Sequence, residues 1–365
     1  MIYLDSAATT LKKPPEVINA AASAIFKLGS PGRGGHEYAM RAAECAYTCR
    51  ERAARLFNVE NPENVVFTMN ATHALNIAIS SLVERGDRVL ISSWEHNAVL
   101  RPLIGKSAEL LIAETAPFEG ENCLNEYERL LKTHPKCAVL NHASNVTGSI
   151  LPIYEIAELC SRYGVPLIVD ASQSAGAMRV DMAALGAAFI AMPGHKGLYG
   201  PQGTGLLLCG VMPKPFLLGG SGSDSASGTM PAYLPDLAEA GTHNMPGIAG
   251  LSEGLDFVLR RGIEKIHTHE SSLIRRAAEG LRGKGAKVWL SEAPERQTGV
   301  LSFVFDDEDP ESTASRYNDS GFALRAGLHC APLAHKSLGT FPRGTVRLSV
   351  SAFTTMREVE AFLKV

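Results

Sequence analysis

The chain has 365 residues, a formal net charge of −3, and 45% hydrophobic against 20% charged residues. That composition excludes the basic excess of a nucleic-acid binder and the polar excess of a disordered tail, and no apolar run approaches the roughly 18 residues of a membrane span. The opening MIYLDSAATT lacks the basic and long apolar parts of a secretory signal, and seven scattered cysteines argue against a disulfide framework, so about two domains in a reducing, cytoplasmic setting are expected.

Residues 1–11 read as a short extended arm with a polar loop at 5–10. Pro14-Pro15-Glu16 then starts a helix, proline suiting the first turn. The glycine-rich loop 30–36 follows a helix rather than a strand, which rules out a dinucleotide fingerprint. An amphipathic helix spans about 38–56; Cys45 and Cys49 sit four apart on it, but no second pair or nearby histidine makes a metal site. Strand 65–68, helix 72–83, strand 88–92, helix 97–104, strand 110–113 and a helix from Asn125 follow. Strand 138–143, helix 153–163 and three apolar runs at 165–169, 187–192 and 205–209 complete the series. This alternation predicts an α/β fold with a mostly parallel sheet covered by helices on both faces. The Gly/Ser-rich stretch 219–228 reads as an interface or lid loop. Long helices over 248–282, strands at 287–290, 300–304 and 345–349, and helices near 310–319 and 356–363 predict a smaller C-terminal α+β domain. The expected division is 12–245 for the large domain, and 1–11 with 246–365 for the small one.

The chemistry is expected between Val165 and Leu208. One buried run ends at Asp170, and a second stops at Pro193-Gly194 and delivers His195 and Lys196. An acid and a lysine on one edge of an open sheet sit where such folds bind ligands. The pair suits pyridoxal 5′-phosphate (PLP), which needs an amine for its Schiff base and a carboxylate to keep the pyridine nitrogen protonated. Gln173 is placed to bond the ring's phenolate oxygen. The strand-to-helix turn 69–73 gathers amides at a helix N-terminus, an anion site to which Thr72 adds a hydroxyl; alone it reads as an ordinary N-cap. His96 follows a strand end, suited to stacking on a planar ring or moving a proton. Asn145 sits similarly; alone it reads as a turn residue. Arg347, among strand apolars, needs a partner if buried, either a structural acid or a substrate carboxylate. Cys330 alone of the seven cysteines lies in a loop beside basic residues, Arg325 and His329, which favour a reactive thiolate.

The set Asp170–Gln173, His195–Lys196, Glu95-His96, Thr72, Asn145, Arg347 and Arg325 to Cys330 resembles the class V, fold-type I PLP enzymes. Within them it resembles the cysteine desulfurase and selenocysteine lyase family. The resemblance runs from Tyr3-Leu4-Asp5-Ser6-Ala7-Ala8-Thr9-Thr10 through Arg33, His36, 86–92 and 240–244 to Arg347-Leu348-Ser349. It implies the PLP-dependent transferase fold, with Lys196 carrying the cofactor and moving the Cα proton, and His96 stacked on the ring. It also implies a phosphate held by Thr72, the His73 backbone, His195 and, from the partner subunit of a homodimer, Thr242. Asn145, Arg347 and Arg325 would face an amino-acid substrate, L-cysteine or L-selenocysteine. Cys330 would take its sulfur as a persulfide and leave alanine. The segment Leu328-His329-Cys330 resembles the short-loop branch, which hands sulfur to an acceptor protein. Two positions depart from the family pattern. Pro193 stands where a phosphate-binding serine is usual, and His73 where a glutamate is common. A selenocysteine lyase, or a related PLP enzyme with an idle Cys330, stays open as an alternative.

Overall fold

The computed structural model describes residues 1–32, 34–119 and 121–365, apart from the side chains of Glu121 and Asn122; Arg33 of the resemblance lies outside the described residues. In chain order the elements are β1 (Ile2–Tyr3), α1 (Pro15–Lys27), α2 (Glu37–Phe57), β2 (Val65–Thr68), α3 (Ala71–Leu82), β3 (Arg88–Ser92), α4 (Asn97–Gly105) and β4 (Glu109–Ala113). Next come α5 (Glu121–Leu131), β5 (Cys137–Asn141), α6 (Ile153–Arg162), β6 (Leu167–Asp170), α7 (Met182–Leu185), β7 (Phe189–Pro193) and β8 (Gly205–Cys209). The chain closes with α8 (Met245–Arg261), α9 (Ile263–Gly283), β9 (Lys287–Trp289), β10 (Val300–Val304), α10 (Pro310–Asp319), β11 (Phe322–Ala323), β12 (Arg325–Gly327), α11 (Pro332–Ser337), β13 (Thr345–Ser349) and α12 (Met356–Phe362).

Seven strands form the large sheet in the order β2-β8-β7-β6-β5-β3-β4. From β7 to β4 neighbours run parallel, and β8 is antiparallel to both β7 and β2. Successive residues of the inner strands serve opposite cores. Leu140, Val169 and Ile190 pack with α2, α5, α6 and α8, whereas Val139, Ile168 and Phe189 pack with α3 and α4. That two-sided burial is why these strands read as continuous apolar runs, and it yields the expected three-layer α/β architecture. Local signals set the helix ends. Asn70 caps α3 through the His73 amide, and Thr355 and Glu358 form a reciprocal capping box on α12.

A second sheet, β12-β13-β10-β9, is antiparallel and is covered by α9, α10 and α12, with Phe303, Leu348 and Phe362 in its core. The N-terminal arm joins this unit: β1 pairs with β11, and Leu4 lies in the same core. Helix α8 packs against α1 and α2 and shares the large sheet's core, while α9 serves the small sheet's core. We therefore propose that the division falls after Arg261 rather than near 245. Four elements escaped sequence reading, α7, β11, β12 and α11, each too short to show a periodicity. Helix α5 also starts four residues earlier than expected, and β5 ends at Asn141 rather than Ala143.

Candidate active site

Strands β5, β6 and β7 end side by side at Asn141, Asp170 and Pro193, with α3 and α4 starting alongside. A cavity of about 230 Å³ opens on this edge. Nine of the expected residues line it: Thr72, His96, Asn145, Asp170, Gln173, His195, Lys196, Arg325 and Arg347. Asp170 is 4% exposed, and its carboxylate accepts the Ser172 amide at 2.9 Å. Burial pushes the Lys196 pKa down to about 8; Asp170 opposes that shift, and Arg347 and Arg325 reinforce it. A lysine poised there is neutral in roughly a tenth of molecules at pH 7, far more than an ordinary lysine, which suits a nucleophilic amine.

The turn carrying Lys196 is fixed from two sides. Underneath, Gly197 meets the Asp170–Gly176 loop so closely that a Cβ on it would lie 2.3 Å from the Ala175 carbonyl oxygen. Above, the N-terminal arm straps over it. Thr10 donates its amide to the His195 carbonyl at 3.1 Å and its hydroxyl to the His195 and Lys196 carbonyls at 3.0 and 3.1 Å. Lys13 adds its ammonium to the His195 carbonyl at 3.0 Å, and burial lowers its pKa to about 8. His195 shares a 3.0 Å hydrogen bond between Nδ1 and the Thr9 hydroxyl, and burial beside Lys196 and Lys13 brings its pKa to about 4, so the ring is neutral. Gln173 donates to the Ala7 carbonyl at 3.1 Å, which brings the same arm to the cavity wall.

His96 caps α4: its Nδ1 accepts the Ala98 amide at 3.0 Å, which leaves the proton on Nε2. Burial lowers its pKa to about 4. The preceding residue, Glu95, is fully buried, and its Oε1 takes the Ser92 hydroxyl and, at 2.9 Å, the Asn141 amide. Burial raises the Glu95 pKa to about 8, so the carboxyl stays protonated at neutral pH.

The far wall belongs to the small sheet. Arg325 and Arg347 stand directly opposite one another on antiparallel β12 and β13. Like charges so placed repel, and an anion between them relieves the repulsion. Arg347, 1% exposed, gives Nη2 to Asp5 Oδ1 at 2.6 Å and Nη1 to the Asn145 carbonyl at 3.1 Å, while its buried Nε has no partner. Among the described residues Arg325 has no ion pair, so this wall holds unspent donors for a carboxylate.

Asn145 turns its amide to the His329 carbonyl at 2.7 Å, and the Asn97 amide takes the next carbonyl, Cys330's, at 2.7 Å. Two successive carbonyls pin the loop, and His329 and Cys330 both hold left-handed backbone, with φ of 49° and 58°. His329 lines the cavity, and Cys330 follows it as the one exposed cysteine of the seven. Burial raises the thiol pKa values of the other six and keeps them protonated.

His73 and Thr242 lie elsewhere, in a neighbouring pocket of about 210 Å³ floored by Thr68 and Gly205. The His73 amide, expected on a phosphate, is already given to Asn70 Oδ1 at 2.9 Å. The free amides at the start of α3 are those of Ala71 and Thr72, which have no acceptor within the helix. We propose that the Ala71 and Thr72 amides take that donor role. Thr242 sits beside a buried network in which Glu239 accepts from Arg50, His243 and the Phe67 amide, each at 2.6 Å.

Sequence reasoning placed Glu95 and Asp5 in matching motifs without giving either a role, and it passed over Asn141. Asn141 carried the same signal as Asp170, a polar residue ending a parallel strand, but the longer strand expected there hid it. Asp5 meets Arg347 across 342 positions, and no local pattern reports that. Apart from one phosphate donor, the set suits PLP. A buried amine, an aspartate one strand away, a neutral histidine at a helix start and free amides at another all face one cavity. Pro193 also lines it, and its ring offers no hydroxyl where the family pattern has a serine.

A family model described as aminotransferase class-V matches residues 2–362 of the chain. A probable cysteine desulfurase of Mycolicibacterium paratuberculosis is 33% identical over all of this chain, which spans only 54% of that protein's length. Another, from Methanothermobacter thermautotrophicus, is 32% identical over 98% of this chain and 92% of its own. The solved apo cysteine desulfurase of Thermococcus onnurineus NA1 matches with a TM-score of 0.93 and 31% identity, over 100% of this chain and 93% of that one.

Proposed function

The chain belongs to the aminotransferase class-V family, and on that premise we propose that it is a PLP-dependent cysteine desulfurase, converting L-cysteine to L-alanine and leaving the sulfur on Cys330. The observation that carries this reading is the convergence of Lys196, Asp170, His96 and two arginines on one cavity, with the loop of the single exposed cysteine pinned at its wall.

When bound, PLP supplies an aldehyde to hold the substrate's amine and a ring to take up the electron pair of its Cα. Asp170 would hold the ring nitrogen, Gln173 the phenolate oxygen, His96 one face, and Thr72, the Ala71 amide and His195 the phosphate. Arg347 and Arg325 hold the substrate carboxylate, which orients the Cα proton and the thiol. Lys196 Nζ takes that proton and later returns one. The Cys330 thiolate attacks the substrate sulfur, and two pinned carbonyls limit how far its loop can wander. Asn145 contributes by holding that loop, in addition to any contact with substrate.

Thr242 is proposed to complete the phosphate site of a partner subunit, which makes a homodimer the working unit. The exposure of Cys330 supports delivery of sulfur to an acceptor protein. The test is to incubate the PLP-loaded protein with L-cysteine and measure alanine and sulfane sulfur together. Equimolar release that disappears in Lys196→Ala supports the reading, and release of another product from cysteine, or none, refutes it.

A further inference from the structure

Behind the cofactor cavity lies a second, small chamber of about 40 Å³, room for roughly one to three water molecules. Ala7, Ser172, Gln173 and Lys196 line both spaces and form the wall between them. At the far side stands Glu270 of α9, 6% exposed, with neither a hydrogen bond nor an ion pair among the described residues. The backbone makes room for it. A Cβ on Gly299 would lie 2.7 Å from Glu270 Oε2, so glycine at 299 keeps the carboxyl's place open. A buried acid without a protein partner is costly, and water in a polar chamber is the partner available to it.

We propose that Glu270 is a proton store for Lys196, acting through water held in this chamber. The arm faces the chamber with Ser6 and Thr10, β10 and β13 with Val300, Val350 and Ser351, and the turn after β7 with the two titratable groups Lys196 and Tyr199. The Tyr199 hydroxyl accepts the Ala352 amide at 3.0 Å, and burial holds it protonated. Burial alone raises the Glu270 pKa to about 8, so the acid carries its proton at neutral pH.

The inference rests on the desulfurase reading, in which the Cβ–S bond breaks with its electron pair left on carbon and the sulfur bonded to Cys330. Cβ then needs one proton. Lys196 gives it, chamber water passes the Glu270 proton to Lys196, and Glu270 regains a proton through solvent, equal to the one lost when the Cys330 thiol ionised. Glu270 touches neither substrate nor cofactor and is a positioning residue for that proton.

The test compares wild type, Glu270→Gln and Glu270→Asp as full-length, PLP-loaded proteins. Infrared spectra at pH 7 are expected to contain a protonated-carboxyl band that Glu270→Gln loses and Glu270→Asp keeps. With L-cysteine, Glu270→Gln is expected to lower kcat about ten- to a hundredfold with KM unchanged, less than or at the lower end of the loss for a direct acid–base group, and Glu270→Asp to recover part of it. An unchanged band, an unchanged kcat, or a band that depends on potassium and so marks a bound cation would overturn the proposal. If no variant, wild type included, released alanine, the desulfurase reading would fail, while the infrared arm would still report whether Glu270 holds a proton.

Discussion

Replacing Arg347 with lysine keeps a positive charge at the carboxylate wall but removes the planar fork. In the structure Nη2 is engaged by Asp5 at 2.6 Å, Nη1 by the Asn145 carbonyl at 3.1 Å, and Nε is free. A lysine ammonium can keep the Asp5 pair, so folding should survive, but its three donors radiate from one nitrogen held at Asp5 and cannot reproduce the spread of the fork toward a substrate carboxylate. The loss is one charged hydrogen bond, about 1.5–3 kcal/mol. At about 1.4 kcal/mol per decade that is roughly a 10- to 150-fold rise in KM for L-cysteine. Steady-state alanine release gives KM and kcat, and 2-aminoethanethiol, which has the amine and thiol but no carboxylate, serves as the control. Binding of the control, followed through the cofactor's absorbance, should be equal in wild type and variant. A variant that weakens both ligands equally would show that Arg347 shapes the cavity and does not grip the carboxylate.

Three further outcomes are expected. Glu95 holds its proton between its ordinary 4.5 and about 8 only when folded, so its contribution to stability is full below pH 4.5 and lost as pH rises through 8; the urea-midpoint difference between Glu95→Gln and wild type should move in the variant's favour from pH 5 to pH 8.5, and a constant difference would contradict the buried neutral acid. Glu239→Ala strands the buried Arg50 guanidinium and should cost about 3–5 kcal/mol in urea unfolding, a loss below about 1 kcal/mol being the contrary result. Asn145→Ala frees the His329 carbonyl and so loosens the Cys330 loop; it should slow sulfur transfer to Cys330 more than it slows exchange of the substrate's Cα proton with deuterated water, and equal slowing would place Asn145 on the substrate instead.

What sequence could report follows from how far each interaction reaches along the chain. Strands β2, β3, β8, β10 and β13 were legible to the residue because burial on a sheet demands short, mainly apolar stretches rich in branched residues. Asp170 and Lys196 were legible because a polar residue closing such a run has few other uses. The carboxylate wall was half legible. Arg347 stood out among apolar neighbours, but its partner Asp5 belongs to an arm docked across the whole chain. That the His73 amide already has an acceptor was not legible, because the capping by Asn70 depends on a local backbone geometry. Glu270 gave no signal at all, since on an amphipathic helix a glutamate is unremarkable until the chamber it faces is seen.

The central claim is that sulfur leaves cysteine for one particular thiol. Brief exposure of the PLP-loaded protein to L-cysteine, followed by mass spectrometry of its peptides under non-reducing conditions, tests it most directly. The expected result is one extra sulfur atom on the peptide carrying Cys330 and on no other cysteine, absent in Lys196→Ala. Alanine formed while Cys330 stays unmodified, or sulfur found on one of the buried thiols, would contradict it.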